Sequence, residues 1–132
     1  MFSLIWLMIQ GDNKLIQNGG ISMQTIQEPQ ALVLIPEITT LTAANAKEFK
    51  AALEGHLEET KTMVIDLSSV TFIDSTGLGV LLFALKRLNQ KEGELKLCNV
   101  TKPVRVLFEL VRLHQIMEVY NSREEALASF SS

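Results

Sequence analysis

The stretch best fitted to chemistry is Asp74-Ser75-Thr76-Gly77-Leu78-Gly79, between a strand-like apolar run and the longest helical pattern of the chain. In open α/β sheets, function gathers where strand C-termini meet helix N-termini. Ser75 and Thr76 place two hydroxyls at the start of a helix whose free N–H groups and positive dipole end favour an added anion. A phosphoryl group on Ser75 would meet donors already in place. Gly77 and Gly79 leave the first turn bare, so another protein's backbone could approach closely. The plainer alternative makes Asp74 or Ser75 an N-cap only, and the glycines aids to packing.

Other chemistries fit less well. A hydrolase would need Ser75 as a nucleophile with a histidine base, but Ile73 stands where the first glycine of a Gly-x-Ser-x-Gly elbow belongs. Gly77-x-Gly79 lacks the third glycine of a dinucleotide fingerprint, since Leu82 occupies that place, and there is no Gly-x-x-x-x-Gly-Lys phosphate loop. A small serine hydrolase or nucleotide-binding domain is therefore a weak third reading. His56 and His114 are far apart and have no ligand-spaced partner, so no metal site and no cofactor is expected. Cys98 alternates with Leu97 and Asn99 in a strand pattern, as a small buried hydrophobe would.

The elements that must position this loop follow from hydrophobic periodicity. Residues 24–27 and 31–35 are strand-like runs around Glu28-Pro29-Gln30, a hairpin turn. Thr42 is an N-cap candidate for a helix reaching about Glu59, with Ala46, Phe49, Leu53 and Leu57 on one face. Residues 63–67 read as a buried strand. After the candidate loop comes a helix with the stripe Leu78, Leu81, Leu82, Leu85 and Leu88, closed by Glu92-Gly93. Its Lys86, Arg87 and Lys91 form a basic side, either solvated or a rim for an acidic partner. A strand at 95–100 leads to a helix with Pro103 near its start and Val104, Leu107, Phe108 and Val111 inward. A last strand at 116–120 precedes a short helix through Phe130, opened by the capping box Ser122-x-x-Glu125. The order β-β-α-β-α-β-α-β-α predicts an α/β fold. It has a mixed, mostly parallel sheet of about five strands, about four helices and right-handed crossovers.

The chain has 132 residues, 47% of them hydrophobic, enough to fill one core without disulfides or metal. Twelve Lys and Arg against fifteen Asp and Glu leave a net charge of −3, which argues against direct nucleic-acid binding. A single cysteine excludes an intrachain disulfide and Cys-rich zinc sites, and points to the cytoplasm. Residues 1–9 are apolar apart from Ser3, too few for a bilayer that needs about 20, so no integral membrane segment is expected. Neither a basic n-region nor an Ala-x-Ala cleavage site accompanies them. Residues 1–22 are expected to lie outside the folded domain as an N-terminal extension, with residues 23–132 forming it. The alternative is a membrane-surface or partner-binding segment using Phe2, Trp6 and Leu7.

The run Val64-Ile65-Asp66-Leu67-Ser68-Ser69-Val70-Thr71-Phe72-Ile73-Asp74-Ser75-Thr76-Gly77-Leu78-Gly79-Val80 resembles the signature of STAS domains, most of all those of bacterial anti-sigma factor antagonists. The resemblance continues through Leu95-Lys96-Leu97-Cys98-Asn99-Val100, Pro103-Val104-Arg105-Val106-Leu107-Phe108-Glu109-Leu110 and Glu124-Glu125-Ala126-Leu127, covering about 23–130. It implies the STAS fold and a phosphorylation-controlled partner switch. By this resemblance Ser75, with Thr76 as second choice, is phosphorylated by an anti-sigma factor that is an ATP-dependent serine kinase. The unphosphorylated form binds that kinase and frees a sigma factor for transcription, and a PP2C-type phosphatase resets it. The chain would be a binding module and kinase substrate, not an enzyme. Its partner-binding surface would comprise Asp74, Ser75, Thr76, Gly77, Leu78, Gly79, Leu82 and Thr39.

Two departures stand out. In Pro36-Glu37-Ile38-Thr39, Thr39 replaces an acid usual in the family, and Val111-Arg112 replaces a small residue and glycine. The missing acid leaves open an alternative within the superfamily, a STAS subunit of a membrane lipid-type ABC transport complex that is never phosphorylated.

Overall fold

A computed structural model describes residues 13–18 and 21–131. The apolar segment 1–9, with Phe2, Trp6 and Leu7, lies outside the described residues. A six-stranded sheet has the order β1-β2-β3-β5-β7-β8, formed by β1 (Asn13–Asn18), β2 (Ile21–Gln27), β3 (Leu32–Pro36), β5 (Thr62–Asp66), β7 (Glu94–Cys98) and β8 (Glu118–Tyr120). The first two pairings are antiparallel and the remaining three parallel. Two short strands, β4 (Thr40–Leu41) and β6 (Phe72–Ile73), pair in parallel apart from this sheet. The helices are α1 (Ala46–Glu59), α2 (Ser75–Gln90), α3 (Lys102–Leu110) and α4 (Arg123–Ala128).

The alternation of side chains along the central strands builds two layers. Leu32, Leu34, Met63, Ile65, Leu95 and Leu97 face α1, α2 and α3, whereas Val33, Ile35, Val64 and Cys98 face α4. Successive parallel strands are added in one direction, β3 to β5 to β7 to β8. Crossovers of one hand must then place α1, α2 and α3 on the same face. The mixed, mostly parallel α/β fold with four helices is the one read from periodicity.

Several boundaries differ from expectation. Asn13–Asn18 pairs residue for residue with β2, and Ile21 is buried in the core, so the sheet begins inside the segment expected to be an extension. Asn13–Asn18 carries only two apolar residues, Leu15 and Ile16, which hid it in the sequence. Helix α1 starts after Asn45. Thr42 instead supports the preceding turn, its hydroxyl accepting from Ala44 N–H and its carbonyl from Ala46 N–H. The buried stripe of α2 is Gly77, Val80, Leu81, Ala84 and Leu88, rotated so that Leu78, Leu82 and Leu85 are only half-buried. Arg87 lies within 3.7 Å of Glu58 on α1, and the Lys91 Nζ donates to the Leu57 and Thr60 carbonyls, so much of the basic side serves packing.

Helix α2 ends in a Schellman motif, with Gly93 N–H on Leu88 O and Glu92 N–H on Asn89 O. The left-handed residue there is Glu92, at φ 61°, not the glycine. Gly93 serves close approach instead, because a Cβ would lie 2.1 Å from the Lys61 carbonyl oxygen. Arg112 is likewise left-handed, at φ 57°, a conformation that favours glycine. Ser122 caps α4 as expected, accepting from Glu125 N–H at 3.1 Å.

Two charged groups are buried in the α4-side layer. Lys96 lies 3.4 Å from Glu94 and 3.3 Å from Glu118, donates to Ser129 Oγ, and sits 4.3 Å from the Phe130 ring centroid. Burial works against its charge, but the Glu118 carboxylate outweighs it and the lysine pKa is raised. Asp66, 1% exposed, accepts from Ser68 N–H, Asn99 Nδ2 and an Arg123 guanidinium nitrogen at 3.0, 3.0 and 3.1 Å. It thereby fastens the loops after β5 and β7 to the start of α4. Replacing Asp66 by Ala leaves these donors short of an acceptor, and equilibrium denaturation should show a loss of about 1–3 kcal/mol. A change below about 0.5 kcal/mol would mean that water replaces the carboxylate without cost.

Candidate functional site

The site forms where β4 and β6 run side by side into the start of α2. Thr71 N–H donates to the Thr39 carbonyl at 2.7 Å, and Asp74 N–H to the Leu41 carbonyl at 3.2 Å. These bonds stitch 39–41 against 71–74. Thr101 Oγ1 donates to the Val70 carbonyl at 2.6 Å and steadies the same loop from the α3 side.

Asp74 is the N-cap of α2. Its Oδ1 accepts from Gly77 N–H at 2.9 Å and its Oδ2 from Ala43 N–H at 3.0 Å. One carboxylate therefore satisfies a helix-end donor and a loop donor 31 residues away. The N–H of Gly77, then that of Ala43, holds its carboxyl below the ordinary range, and Thr76 N–H adds to this. Asp74 is thus a fixed anion at any physiological pH.

Ser75 and Thr76 follow as the first two helical residues. Both are exposed, and neither hydroxyl enters a hydrogen bond within the described residues. Among the described residues no side chain hydrogen-bonds to Ser75 Oγ. Thr39 is also exposed and joins the site through its carbonyl. Leu78 and Leu82 are half-buried and Gly79 is exposed. Phe72, 54% exposed, stands just before Asp74.

The two glycines differ in kind. A Cβ on Gly77 would lie 2.3 Å from the Leu41 carbonyl oxygen, so glycine is what lets the first turn of α2 seat on β4. A Cβ on Gly79 would meet nothing within 4 Å, so nothing inside the chain requires glycine there. Leu41 and Ala43 are parts of the site that sequence reasoning missed. They belong to no motif, and only the β4–β6 pairing brings them to Asp74.

Other candidates are placed apart from this site. Cys98 is fully buried, and burial followed by the nearby Asp66 charge pushes its thiol up to about 12. His56 lies 4.0 Å from Glu59 on α1, and His114 is exposed beyond α3. Among the described residues no cluster of three or more His, Cys, Asp or Glu side chains could hold a metal ion. No helix among them is long and apolar enough to cross a membrane.

Comparison with known proteins agrees with this geometry. The family model of the STAS domain matches residues 22–126. The chain belongs to the STAS domain family. It is 38% identical over 91 residues to a Bordetella bronchiseptica protein assigned as an anti-sigma factor antagonist, BtrV, covering 68% of this chain and 78% of that one. It is 40% identical over 90 residues to the anti-sigma-B factor antagonist of Listeria monocytogenes, covering 67% and 76%. Among solved structures, an anti-sigma factor antagonist from Mycobacterium paratuberculosis superposes with a TM-score of 0.76 at 20% identity, covering 85% of this chain and 95% of that one. That likeness establishes the STAS fold, and the nearer relatives are of the anti-sigma factor antagonist type.

Four measurements test this reading of the site. Gly77→Ala should cost about 1–3 kcal/mol in denaturant melts, because backbone must move to admit the methyl group. Gly79→Ala should instead stabilise by about 0.5–1 kcal/mol, since glycine inside a helix carries an entropic penalty and the methyl group has room. In an NMR titration the Asp74 carboxyl should titrate below 3.8. A depressed folded pKa gives stability that is fully present above the unfolded value and is lost as pH falls through the folded one. Asp74→Asn should therefore be destabilised by a constant amount between about pH 5 and 8, and the gap should close at more acid pH.

Proposed function

We propose that this chain is a cytoplasmic anti-sigma factor antagonist whose binding to an anti-sigma serine kinase is switched by phosphorylation of Ser75. The observation that carries this reading is the exposed, unbonded Ser75 hydroxyl at the N-terminus of α2, next to an anion held by backbone. The names of the nearer relatives support the regulatory role.

The switch follows from charge. The kinase transfers the γ-phosphoryl group of ATP to Ser75 Oγ, releasing ADP and the hydroxyl proton. The product carries about −1.5 to −2 charge and three acceptor oxygens. In the free chain the positive end of α2 favours that charge. A docked partner would have to desolvate it beside the Asp74 carboxylate, which stays ionised. A hundredfold loss of affinity needs only about 2.7 kcal/mol of such differential stability. A PP2C-type phosphatase would restore the hydroxyl and, with it, binding. The contact surface is the first turns of α2, with Asp74, Ser75, Thr76, Gly77, Leu78, Gly79 and Leu82, together with Thr39.

Thr39, standing where the family usually has an acid, favours a second reading, a STAS subunit of a lipid-type ABC transport complex whose serine stays unmodified. The two readings separate in one experiment. The protein is incubated with ATP and each anti-sigma serine kinase of its source organism, and phosphate is mapped by mass spectrometry. One phosphate should appear on Ser75 and vanish in Ser75→Ala, and Ser75→Asp should bind the kinase at least a hundredfold more weakly. If no hydroxyl is modified and Ser75→Asp binds like the wild type, the switch is wrong and the transport reading gains.

A further inference from the structure

An open cavity of about 330 Å³ lies between α1 and the first turns of α2. Ala43, Lys47 and Lys50 line it on one side, and Thr76, Gly79 and Phe83 on the other. Gly79 puts no side chain into it, and among the described residues a Cβ there would meet nothing within 4 Å. The Lys50 ammonium rests 4.4 Å from the Phe83 ring centroid, so one wall is both apolar and cationic. Among the lining residues the only charged ones are the two lysines, in a chain of net charge −3. The Asp74 carboxylate, bonded to the lining residue Ala43, accepts from Ala43 and Gly77 N–H. Neither Lys47 nor Lys50 enters an ion pair among the described residues.

We propose that this cleft between α1 and α2 receives an acidic segment of the anti-sigma kinase, an apolar side chain over Gly79 and Phe83 with flanking carboxylates on Lys47 and Lys50. The proposal rests on the switch reading and extends it to a recognition chemistry. An apolar side chain over the Gly79 backbone gains burial that any larger residue there would block. Carboxylates on the two lysines make the encounter faster and salt-dependent. Thr76 lines the cleft and Ser75 adjoins it, so a phosphoryl group there meets the incoming carboxylates as a like charge and competes for the same cations.

The test uses the kinase that binds the wild-type protein, with affinity measured at low and moderate salt. Lys47→Glu combined with Lys50→Glu should weaken binding at least tenfold and flatten the salt dependence. Gly79→Gln should weaken it at least tenfold without lowering the melting temperature, which separates a blocked cleft from a damaged fold. Lys61→Glu, in the turn between α1 and β5, should bind within twofold of wild type. A photo-crosslinker at position 50 should capture a kinase peptide rich in Asp or Glu. Wild-type affinity in the lysine double variant, with Ser75→Asp still unable to bind, overturns the cleft and leaves the switch standing. A crosslink to a neutral or basic peptide, or to a second copy of this chain, also overturns it. Failure of the wild-type protein to bind any such kinase overturns the switch and the cleft together.

Discussion

One carboxylate holds the functional end of this molecule together. Asp74 accepts from the first turn of α2 with one oxygen and from the loop leading into α1 with the other. Two segments far apart in sequence are thereby fixed to the same pair of atoms. The β4–β6 pairing and the missing side chain of Gly77 bring them close enough for this to occur. The result is a helix N-terminus pinned from beneath, with Ser75 and Thr76 held outward. The same carboxylate supplies a permanent negative charge beside the hydroxyls, so the group that builds the site also sets its electrostatics.

Behind the site, the two layers of the sheet divide the work. The layer under α1, α2 and α3 is almost wholly aliphatic and gives α2 a stiff bed. The layer under α4 is smaller and contains the buried Asp66 and Lys96, each surrounded by partners. Removing one member of such a cluster leaves a buried charge or donor uncompensated, so these groups select one arrangement of loops over others. Asp66 ties together the loops after β5 and β7, so the course of the loop that leads to Asp74 depends on a buried group outside the site.

The order of strands and helices was legible because apolar residues recur with clean periods. Strands β3, β5 and β7 are alternating or continuous apolar runs, and Ala46, Phe49, Leu53 and Leu57 mark the buried face of α1. The loop at 74–79 was legible as a strand-to-helix junction with hydroxyls and glycines. Legibility failed where long-range geometry decides. Gly77 and Gly79 look alike in sequence, yet only the first lies against a backbone carbonyl. Strand β4 has two residues and no pattern of its own. Helix α2 carries leucines on more than one side, so their spacing could not tell which stripe is inward. Glu92 took the left-handed position that the adjacent glycine had been expected to fill.

The buried thiol has a consequence beyond packing. Cys98 is the chain's one cysteine, and with burial pushing its thiol up to about 12 almost none of it is the reactive thiolate at neutral pH. Peroxide, nitrosating agents and oxidised glutathione attack that form. Cys98 therefore offers almost no handle to thiol-based redox signalling. An oxidant directed at thiols would have to open the layer under α4 before it reached this sulfur.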